Sequence, residues 1–129
     1  MTDSLILPKS MSSSYQNFRF APGRVSHGLV FISGQIGTTK EGSIPELPEK
    51  EFELVCEHIL TVLQEADCTF KDVIDITSYH TDLNQDLDAF MKVKNTLFSE
   101  PYPTWTAVGT TALAVPNARV EVKVVASKD

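Results

Sequence analysis

Residues 73–80 read Val-Ile-Asp-Ile-Thr-Ser-Tyr-His, and this stretch decides the fold. It is rich in β-branched and aromatic side chains, which favour strands, and its period of two places Ile74, Ile76, Ser78 and His80 on one face. On both sides the period becomes helical, with apolar side chains every three or four positions. The second helix has the apolar positions Leu87, Phe90, Met91, Leu97 and Phe98. The pattern therefore predicts a strand between two helices, the first of which spans about residues 49–66.

The rest of the chain adds strands around this unit. Residues 28–37 form a short apolar run closed by glycines, which is typical of a buried strand that ends in a turn, and another strand precedes it. Residues 105–111 and 120–126 predict two more strands. The 129 residues then divide into a polar, partly ordered segment over 1–17 and a single domain over 18–129.

This order of elements predicts an α+β fold with two helices on one face of a sheet. Right-handed connections between strands bring the two helices to the same side and leave the other side bare. Yet the last strand has apolar residues on both of its faces, at even and at odd positions, for example Val122, Val124 and Val125. A solvated face would not favour this pattern, so we predict that the bare face is covered in a closed homo-oligomer.

Charge and composition exclude several classes of function. The formal net charge is −6, without a run of Lys or Arg, so nucleic acid is not an expected partner. No apolar stretch reaches the roughly 20 residues that a membrane-spanning helix needs, and we expect a cytoplasmic protein without a membrane partner. Cys56 and Cys68 match neither a disulfide framework nor a metal motif, and no two histidines have ligand spacing, so no metal is expected.

Four segments together resemble proteins of the RidA/YjgF family, also called the L-PSP endoribonuclease family. The resemblance covers nearly the whole chain after about residue 18, and the tyrosine-containing parts of the second and fourth segments look most like the YjgH branch. The segments are Leu29-Val-Phe-Ile-Ser-Gly-Gln-Ile-Gly37, Phe70-Lys-Asp-Val-Ile-Asp-Ile-Thr-Ser-Tyr-His-Thr-Asp82, Val93-Lys-Asn-Thr-Leu-Phe98 and Pro101-Tyr-Pro-Thr-Trp-Thr-Ala-Val108.

The resemblance implies a fold and a chemistry. The fold is chorismate-mutase-like, with a mixed β-sheet, and it assembles as a homotrimer whose sheets form a central barrel with ligand pockets between subunits. Main-branch members hydrolyse reactive 2-imino or enamino acids to the 2-keto acid and ammonia, without a cofactor. There an arginine binds the substrate carboxylate through a bidentate pair, and a glutamate positions the attacking water.

The family's site residues are only partly present in this sequence. Ser33 and Gly34 match the turn that contacts the ligand, with their backbone N–H groups as candidate donors, and Glu121 matches the glutamate. Trp105 stands where the arginine is expected. An indole has one N–H donor and no positive charge, so the standard 2-imino acid loses a contact commonly worth about 2 to 5 kcal/mol.

Three further departures make the predicted pocket more apolar. Phe20 occupies the place of a tyrosine, Met91 that of an asparagine, and Ala107 that of a frequent cysteine. Trp105, Phe20 and Met91 together predict a more apolar pocket, suited to a neutral, aromatic or uncharged imine-like ligand. Alternatively, Trp105 is a packing residue that fills the cleft between subunits.

Two other side chains have open interpretations. His80 is a candidate acid–base group, because its pKa lies near neutrality, or else a hydrogen-bonded structural histidine. Arg119 shares a strand face with Glu121, so it is either a displaced arginine that serves the pocket or a member of a surface ion pair.

Three functions follow from these residues. The first is cofactor-free hydrolytic deamination of an imine- or enamine-type metabolite, with Glu121 and a water. The second is non-catalytic binding or sensing of a small molecule on the same trimer, which the missing arginine favours. Endoribonuclease activity is the third, and the acidic charge and the lack of a His/Lys cluster argue against it.

Overall fold

The computed structural model describes residues 4–128. In that part of the chain, three α-helices accompany one six-stranded sheet. The strands are β1 (Leu5–Ile6), β2 (Gly23–Ser26), β3 (Leu29–Ile36), β4 (Val73–His80), β5 (Thr104–Gly109) and β6 (Val120–Ser127). The helices are α1 (Ser12–Phe18), α2 (Pro48–Glu65) and α3 (Leu83–Asn95).

The predicted order of elements from β2 to β6 is confirmed, but the prediction of two helices is wrong. A third α-helix, α1, lies in the polar N-terminal segment, together with the short strand β1. Little in the sequence predicts α1, because the helix buries no residue completely and has no apolar stripe. It ends at Arg19, whose φ of 59° reverses the chain towards β2.

The sheet is mixed and runs in the order β1-β2-β3-β6-β4-β5. Within residues 4–128, only the neighbouring strands β4 and β5 run parallel, because α3 carries the chain back between them. Helices α2 and α3 contact each other and pack on the same face, α2 over β3 and β6 and α3 over β5. The α+β class with a mixed sheet is therefore confirmed, and β1 and β5 form its two edges.

The two faces of the sheet differ in burial. The alternate residues Val120, Val122, Val124 and Ala126 of β6 lie beneath the helices and are buried. We call the other face the open face. There, the side chain of Phe31 in β3 is 43% exposed in the single chain. A large exposed apolar side chain on the face opposite α2 and α3 agrees with the expectation that this face is covered in an oligomer.

One predicted face is wrong at the start of β4. We expected Ile74 and Ile76 to share a face, but Ile74 is 45% exposed whereas Ile76 is 1% and Val73 is 4% exposed. The register between β4 and β6 shifts between Val73 and Asp75, and such an irregularity moves the preceding side chains to the opposite face. From Ile76 onwards the predicted alternation is confirmed.

A buried ion pair joins α2 to the start of β6. Glu51, in the first turn of α2, is fully buried, and its carboxylate accepts from Arg119 Nη1 at 2.8 Å and from the Arg119 backbone N–H at 2.7 Å. The same guanidinium donates to the carbonyls of Pro45 and Glu46, so it also fixes the loop before α2. Arg119 thus forms neither the surface pair nor the pocket cation considered above, because its donors are committed to Glu51 and this loop.

We expect Glu51→Gln to lower the free energy of unfolding by about 3 kcal/mol or more, because it leaves the guanidinium without its counter-charge in a largely buried place. Glu53→Gln is the matched control, since Glu53 lies on the same helix in an exposed pair with Lys50, and such pairs contribute at most about 1 kcal/mol. Urea denaturation of both variants and the parent measures the difference. Equal losses would contradict this role for the pair.

Candidate functional site

Glu121 lies on the open face, against an irregularity in β3. The register between β3 and β6 shifts between Ile32 and Gln35, so Ser33 and Gly34 leave the regular ladder. A Cβ atom at Gly34 would overlap Glu121 Oε2, so the carboxylate lies directly against this backbone. Only glycine allows that approach, which explains the Ser-Gly-Gln order in the turn.

The carboxylate of Glu121 lines a shallow cavity of about 330 Å³. Tyr79 pairs with Glu121 across β4 and β6, so the two side chains are neighbours on the open face. The cavity combines a carboxylate, a phenol and an ammonium group with the apolar loop that follows β5. The lining residues are Gly34, Tyr79, Thr110, Ala112, Leu113, Ala114, Glu121 and Lys123.

Ser33 is engaged within the chain rather than free for a ligand. Its hydroxyl donates to Ala21 O at 2.6 Å, and its backbone N–H donates to Pro22 O at 2.9 Å. The expected ligand contact through the Ser33 N–H is therefore not supported, and Gly34 remains the candidate donor of this turn. Phe20 immediately precedes Ala21 and is 45% exposed, so the Ser33 bonds hold it near this end of β3.

Trp105 belongs to the other face of the sheet. It pairs with Ile76, which is buried beneath the helices, and the indole contacts Phe90 of α3 with ring centroids 6.1 Å apart. The indole Nε1 donates to Ser78 Oγ at 2.9 Å. Trp105 is half-buried, and these contacts fix the orientation of its ring.

An ammonium group lies over this indole. Lys94 Nζ is 4.5 Å from the centroid of the Trp105 ring, a cation–π distance, and burial lowers the pKa of Lys94. Sequence reasoning missed Lys94. It lies three residues after Met91 on α3, and this spacing would have placed both side chains on one helix surface.

Met91 and Ala107 lie on the elements that carry this second cluster. Met91 is half-buried on α3. Ala107 is half-buried on β5 and pairs with Ser78, so it shares the helix-covered face with Trp105. The structure thus brings Trp105, Lys94 and Ser78 together and places Ala107 beside them.

His80 lies inside the helix layer of the same face. It is fully buried, its Nε2 is 2.8 Å from Ser78 Oγ, and its ring meets Phe90 edge-on with centroids 5.0 Å apart. Its Nδ1 has no hydrogen-bond partner within residues 4–128, and burial lowers its pKa. A ring enclosed in this way fits a structural role better than acid–base exchange with a ligand.

The seven candidate binding and catalytic residues therefore fall into two groups within one chain. Glu121, Ser33, Gly34 and Phe20 belong to the bulged end of β3 and its neighbour β6. Trp105, Ala107 and Met91 belong to β5 and α3. Because Glu121 is on the open face and Trp105 is on the covered face, the sheet separates the two groups in a single chain.

Other features of the described chain add little to either group. Cys56 and Cys68 are buried free thiols, and burial with nearby Glu53 and Glu57 raises the pKa of Cys56 to about 12. Within residues 4–128, no three His, Cys, Asp or Glu side chains are grouped so that they could hold a metal ion. None of the helices over the same residues is long and apolar enough to cross a bilayer.

Comparison with known proteins gives a consistent set of relatives. The sequence pattern of the family described as Endoribonuclease L-PSP matches residues 14–128. The RutC family protein YjgH of Escherichia coli K12 is 40% identical over 126 residues, which cover 94% of this chain and 92% of that protein. A solved structure of protein YjgH superimposes with a TM-score of 0.86 at 37% identity and covers 95% of this chain and 94% of the other.

A more distant relative has the same fold. RidA from the Antarctic bacterium Psychrobacter sp. PAMC 21119 superimposes with a TM-score of 0.78 at 28% identity, over 84% of this chain and 87% of the other. The matched pattern, the level of identity and the shared architecture agree with the resemblance found in the sequence. The chain therefore belongs to the RidA/YjgF family, also described as Endoribonuclease L-PSP, and within that family it is YjgH-like.

Proposed function

We propose that this protein is a cofactor-free hydrolase that deaminates a reactive imine- or enamine-type metabolite. The observation that carries the proposal is the position of Glu121, whose carboxylate lies against Gly34 and lines a cavity beside Tyr79. A half-buried carboxylate at a backbone turn can hold a water and accept its proton. The remaining reactant of the hydrolysis is a substrate with an electrophilic carbon, which would bind in this cavity.

The reaction requires one water and one proton carrier. Glu121 accepts a proton as the water oxygen bonds to the imine carbon, and the resulting carbinolamine takes that proton on nitrogen. The carbon–nitrogen bond then breaks as Glu121 transfers the hydroxyl proton to the leaving nitrogen, giving a carbonyl compound and ammonia. Glu121 finishes in its starting state, so the cycle needs no oxidant, reductant or cofactor.

The pocket is proposed to form between subunits of a homotrimer in the cytoplasm. The sheet separates Glu121 from Trp105 within one chain, so a pocket that contains both residues requires two copies. The open edge of β5 and the exposed Phe31 on the open face offer surfaces for that contact. Because Trp105 replaces the arginine of related sequences, the standard 2-imino acid is not the substrate that we propose.

The second candidate is a small-molecule binding or sensing protein on the same trimer. The observation that favours it is the packing of Trp105, whose N–H is already committed to Ser78 and whose ring packs on Phe90. A site of this kind can bind a ligand without lowering the barrier to hydrolysis. Ammonia release separates the two candidates.

The trimer is tested on the open face. Phe31→Glu is expected to dissociate the protein into single chains of 14.3 kDa, because three carboxylates would enter the apolar contact. Phe31→Leu keeps an apolar side chain and is expected to remain trimeric. Analytical ultracentrifugation measures both masses, and a monomeric parent protein would contradict the assembly.

The catalytic role is tested at Glu121. We expect Glu121→Gln to slow ammonia release from freshly generated imines by at least about 100-fold, since the amide keeps the shape but cannot take the proton. Glu65→Gln is the control, because Glu65 is exposed at the end of α2, away from both groups. A coupled ammonia assay over a panel of charged and neutral imines gives the rates.

The hydrolase is contradicted if the parent protein releases no ammonia above the uncatalysed rate from any imine of the panel. The small-molecule binding protein is then the favoured function. A Glu121→Gln variant as fast as the parent would remove Glu121 from the mechanism. Circular dichroism of each variant shows that the fold is retained.

His80 is expected to make stability depend on pH. Its folded-state pKa is lowered by burial, so below about pH 6.5 the unfolded chain takes up a proton that the folded chain does not. Stability is therefore lost as the pH falls through that value, by at most about 1.4 kcal/mol per pH unit. Urea denaturation at pH 7.5 and 5.5 should show a smaller loss for His80→Gln than for the parent, and equal losses would contradict the assignment.

A further inference from the structure

A groove on the helix layer is separate from both groups of candidate residues. It has a volume of about 490 Å³ and is lined by residues of α2, the end of α3 and the turn before β4. Its apolar lining includes Cys56 and Leu60 of α2, Val93 of α3 and Phe70. None of the seven candidate binding and catalytic residues lines this space, which we call the α2–α3 groove, so it is not part of the Glu121 cavity.

One side of the α2–α3 groove is acidic. Glu49, Glu53 and Glu57 follow one another at intervals of four along α2, so they share one side of the helix, and all three line the groove. They are exposed at its rim, and we call them the acidic wall. Glu53 pairs with Lys50 at 3.7 Å, whereas Glu49 and Glu57 form no ion pair within residues 4–128. Lys92 of α3 is the basic residue of the lining, so negative charge is in excess there.

The buried thiol of Cys56 reports on the electrostatic potential at the floor of the groove. Its side chain is 7% exposed, lines the groove and has no hydrogen-bond partner within residues 4–128. Burial, followed by the nearby Glu53 and Glu57 carboxylates, raises the pKa of Cys56 to about 12. Burial disfavours a charge of either sign, whereas the carboxylates disfavour only a negative one. An uncharged group therefore suits the floor, and a positive charge suits the rim beside the acidic wall.

The size of the groove fits a small molecule better than a protein. Its volume lies within the roughly 300–1,000 Å³ of ligand pockets. Ten residues line it, whereas a stable protein interface takes roughly 20–30 residues from each partner. Phe70 adds a flat wall, fixed by an edge-on contact with Phe98 at 5.2 Å between ring centroids. Such a wall suits an aromatic or extended apolar group.

We infer that the α2–α3 groove binds a small hydrophobic amine. The ammonium lies against the acidic wall, and the apolar part of the molecule packs on Leu60, Val93 and Phe70. The charge stays close to water at the rim, so its desolvation is small, while burial of the apolar part supplies affinity. The site involves neither Glu121 nor a contact between subunits, so it goes beyond the proposed function and does not depend on it.

The probe is monodansylcadaverine, in which a pentyl chain joins an aromatic dansyl group to a primary ammonium. Its fluorescence rises when the dansyl group enters apolar surroundings, so a titration with the intact protein gives the Kd. The N-acetylated probe has the same body without the charge. We expect the acetylated probe to bind at least about tenfold more weakly, because it lacks the charge-assisted contact.

The acidic wall is tested by the double variant Glu53→Gln/Glu57→Gln. We expect it to raise the Kd of the amine about tenfold or more and to keep that of the acetylated probe within about threefold of the parent. Glu41→Gln/Glu65→Gln is the matched control, because it removes two exposed carboxylates that do not line the groove. It should keep the Kd of the amine within about threefold of the parent, since distant surface charges are screened by salt.

Lys92 and Leu60 are expected to give changes of opposite sign. Lys92→Gln should lower the Kd of the amine about threefold, because it removes a like charge from the lining, and should not change that of the acetylated probe. Leu60→Asn should raise the Kd of both probes about threefold or more, because it removes apolar contact. Circular dichroism shows whether each variant is folded.

The inference is wrong if the amine does not bind the parent, if the acetylated probe binds equally well, or if Glu53→Gln/Glu57→Gln binds the amine as the parent does. A second copy of the chain is the alternative occupant of the groove. A parent that binds neither probe, with a lower mass for Leu60→Asn in analytical ultracentrifugation, would indicate that occupant and overturn the inference. Ammonia release should be equal in Glu53→Gln/Glu57→Gln and the parent, so this site and the proposed hydrolase can fail independently.

Discussion

The pairing of Glu51 with Arg119 is the constraint on which the arrangement around Glu121 depends. The carboxylate is fully buried in the first turn of α2, and it accepts from both the side chain and the backbone of Arg119. It thereby sets where β6 begins, two residues before Glu121. The end of β3 is fixed by the same helix turn, since a Cβ atom at Gly37 would overlap the Glu51 carbonyl. Both strands that meet at the Glu121 cavity are thus positioned by one helix turn. The guanidinium of Arg119, two residues before Glu121, stabilises the fold through this contact.

The alternation of strand residues imposes the second constraint. Tyr79 and Glu121 share the open face, whereas Ser78 and Trp105 share the covered face, and neighbouring residues of one strand cannot change face without an irregularity. A site built from both faces is therefore impossible inside one sheet but accessible to two sheets that meet at an edge. The edge strand β5 carries Trp105, so one group lies at a boundary of the sheet. This geometry is the physical reason to propose an assembly in which neighbouring copies supply the two groups.

Much of the fold could be predicted from local patterns in the sequence. The helical period of Phe52, Val55 and Ile59 predicted α2, and these side chains are buried in the core. The capping box of Thr69 and Asp72 likewise joins residues only three positions apart. These features depend on residues a few positions apart, so they can be recognised in the sequence alone.

The errors arose where distant residues decide the structure. Ile74 is exposed because the pairing of β4 with β6 shifts, which the alternation of β4 cannot encode. Arg119 was expected either to serve the pocket beside Glu121, two positions away, or to join a surface ion pair, yet its partner is the buried Glu51, 68 residues distant. The candidate site was affected in the same way. Glu121 and Gly34 could be found by matching motifs, whereas the contact of Lys94 with Trp105 joins two elements and appears only in the folded chain.

The relation between Lys94 and Trp105 changes how the absent arginine is understood. The resemblance in sequence predicts an arginine at position 105, and its replacement by Trp105 would leave a neutral pocket. In space, an ammonium from α3 lies 4.5 Å from the ring that occupies this position. The replacement is not equivalent, because a guanidinium fixes the plane of a carboxylate through two parallel bonds and an ammonium acts as a point charge. The orientation of a ligand beside this ring must therefore come from the walls of the site, and the indole held by Ser78 provides a flat one. Specificity in such a site would depend on shape more than on paired hydrogen bonds, which is consistent with Met91 and Phe20, where the resemblance predicts polar side chains.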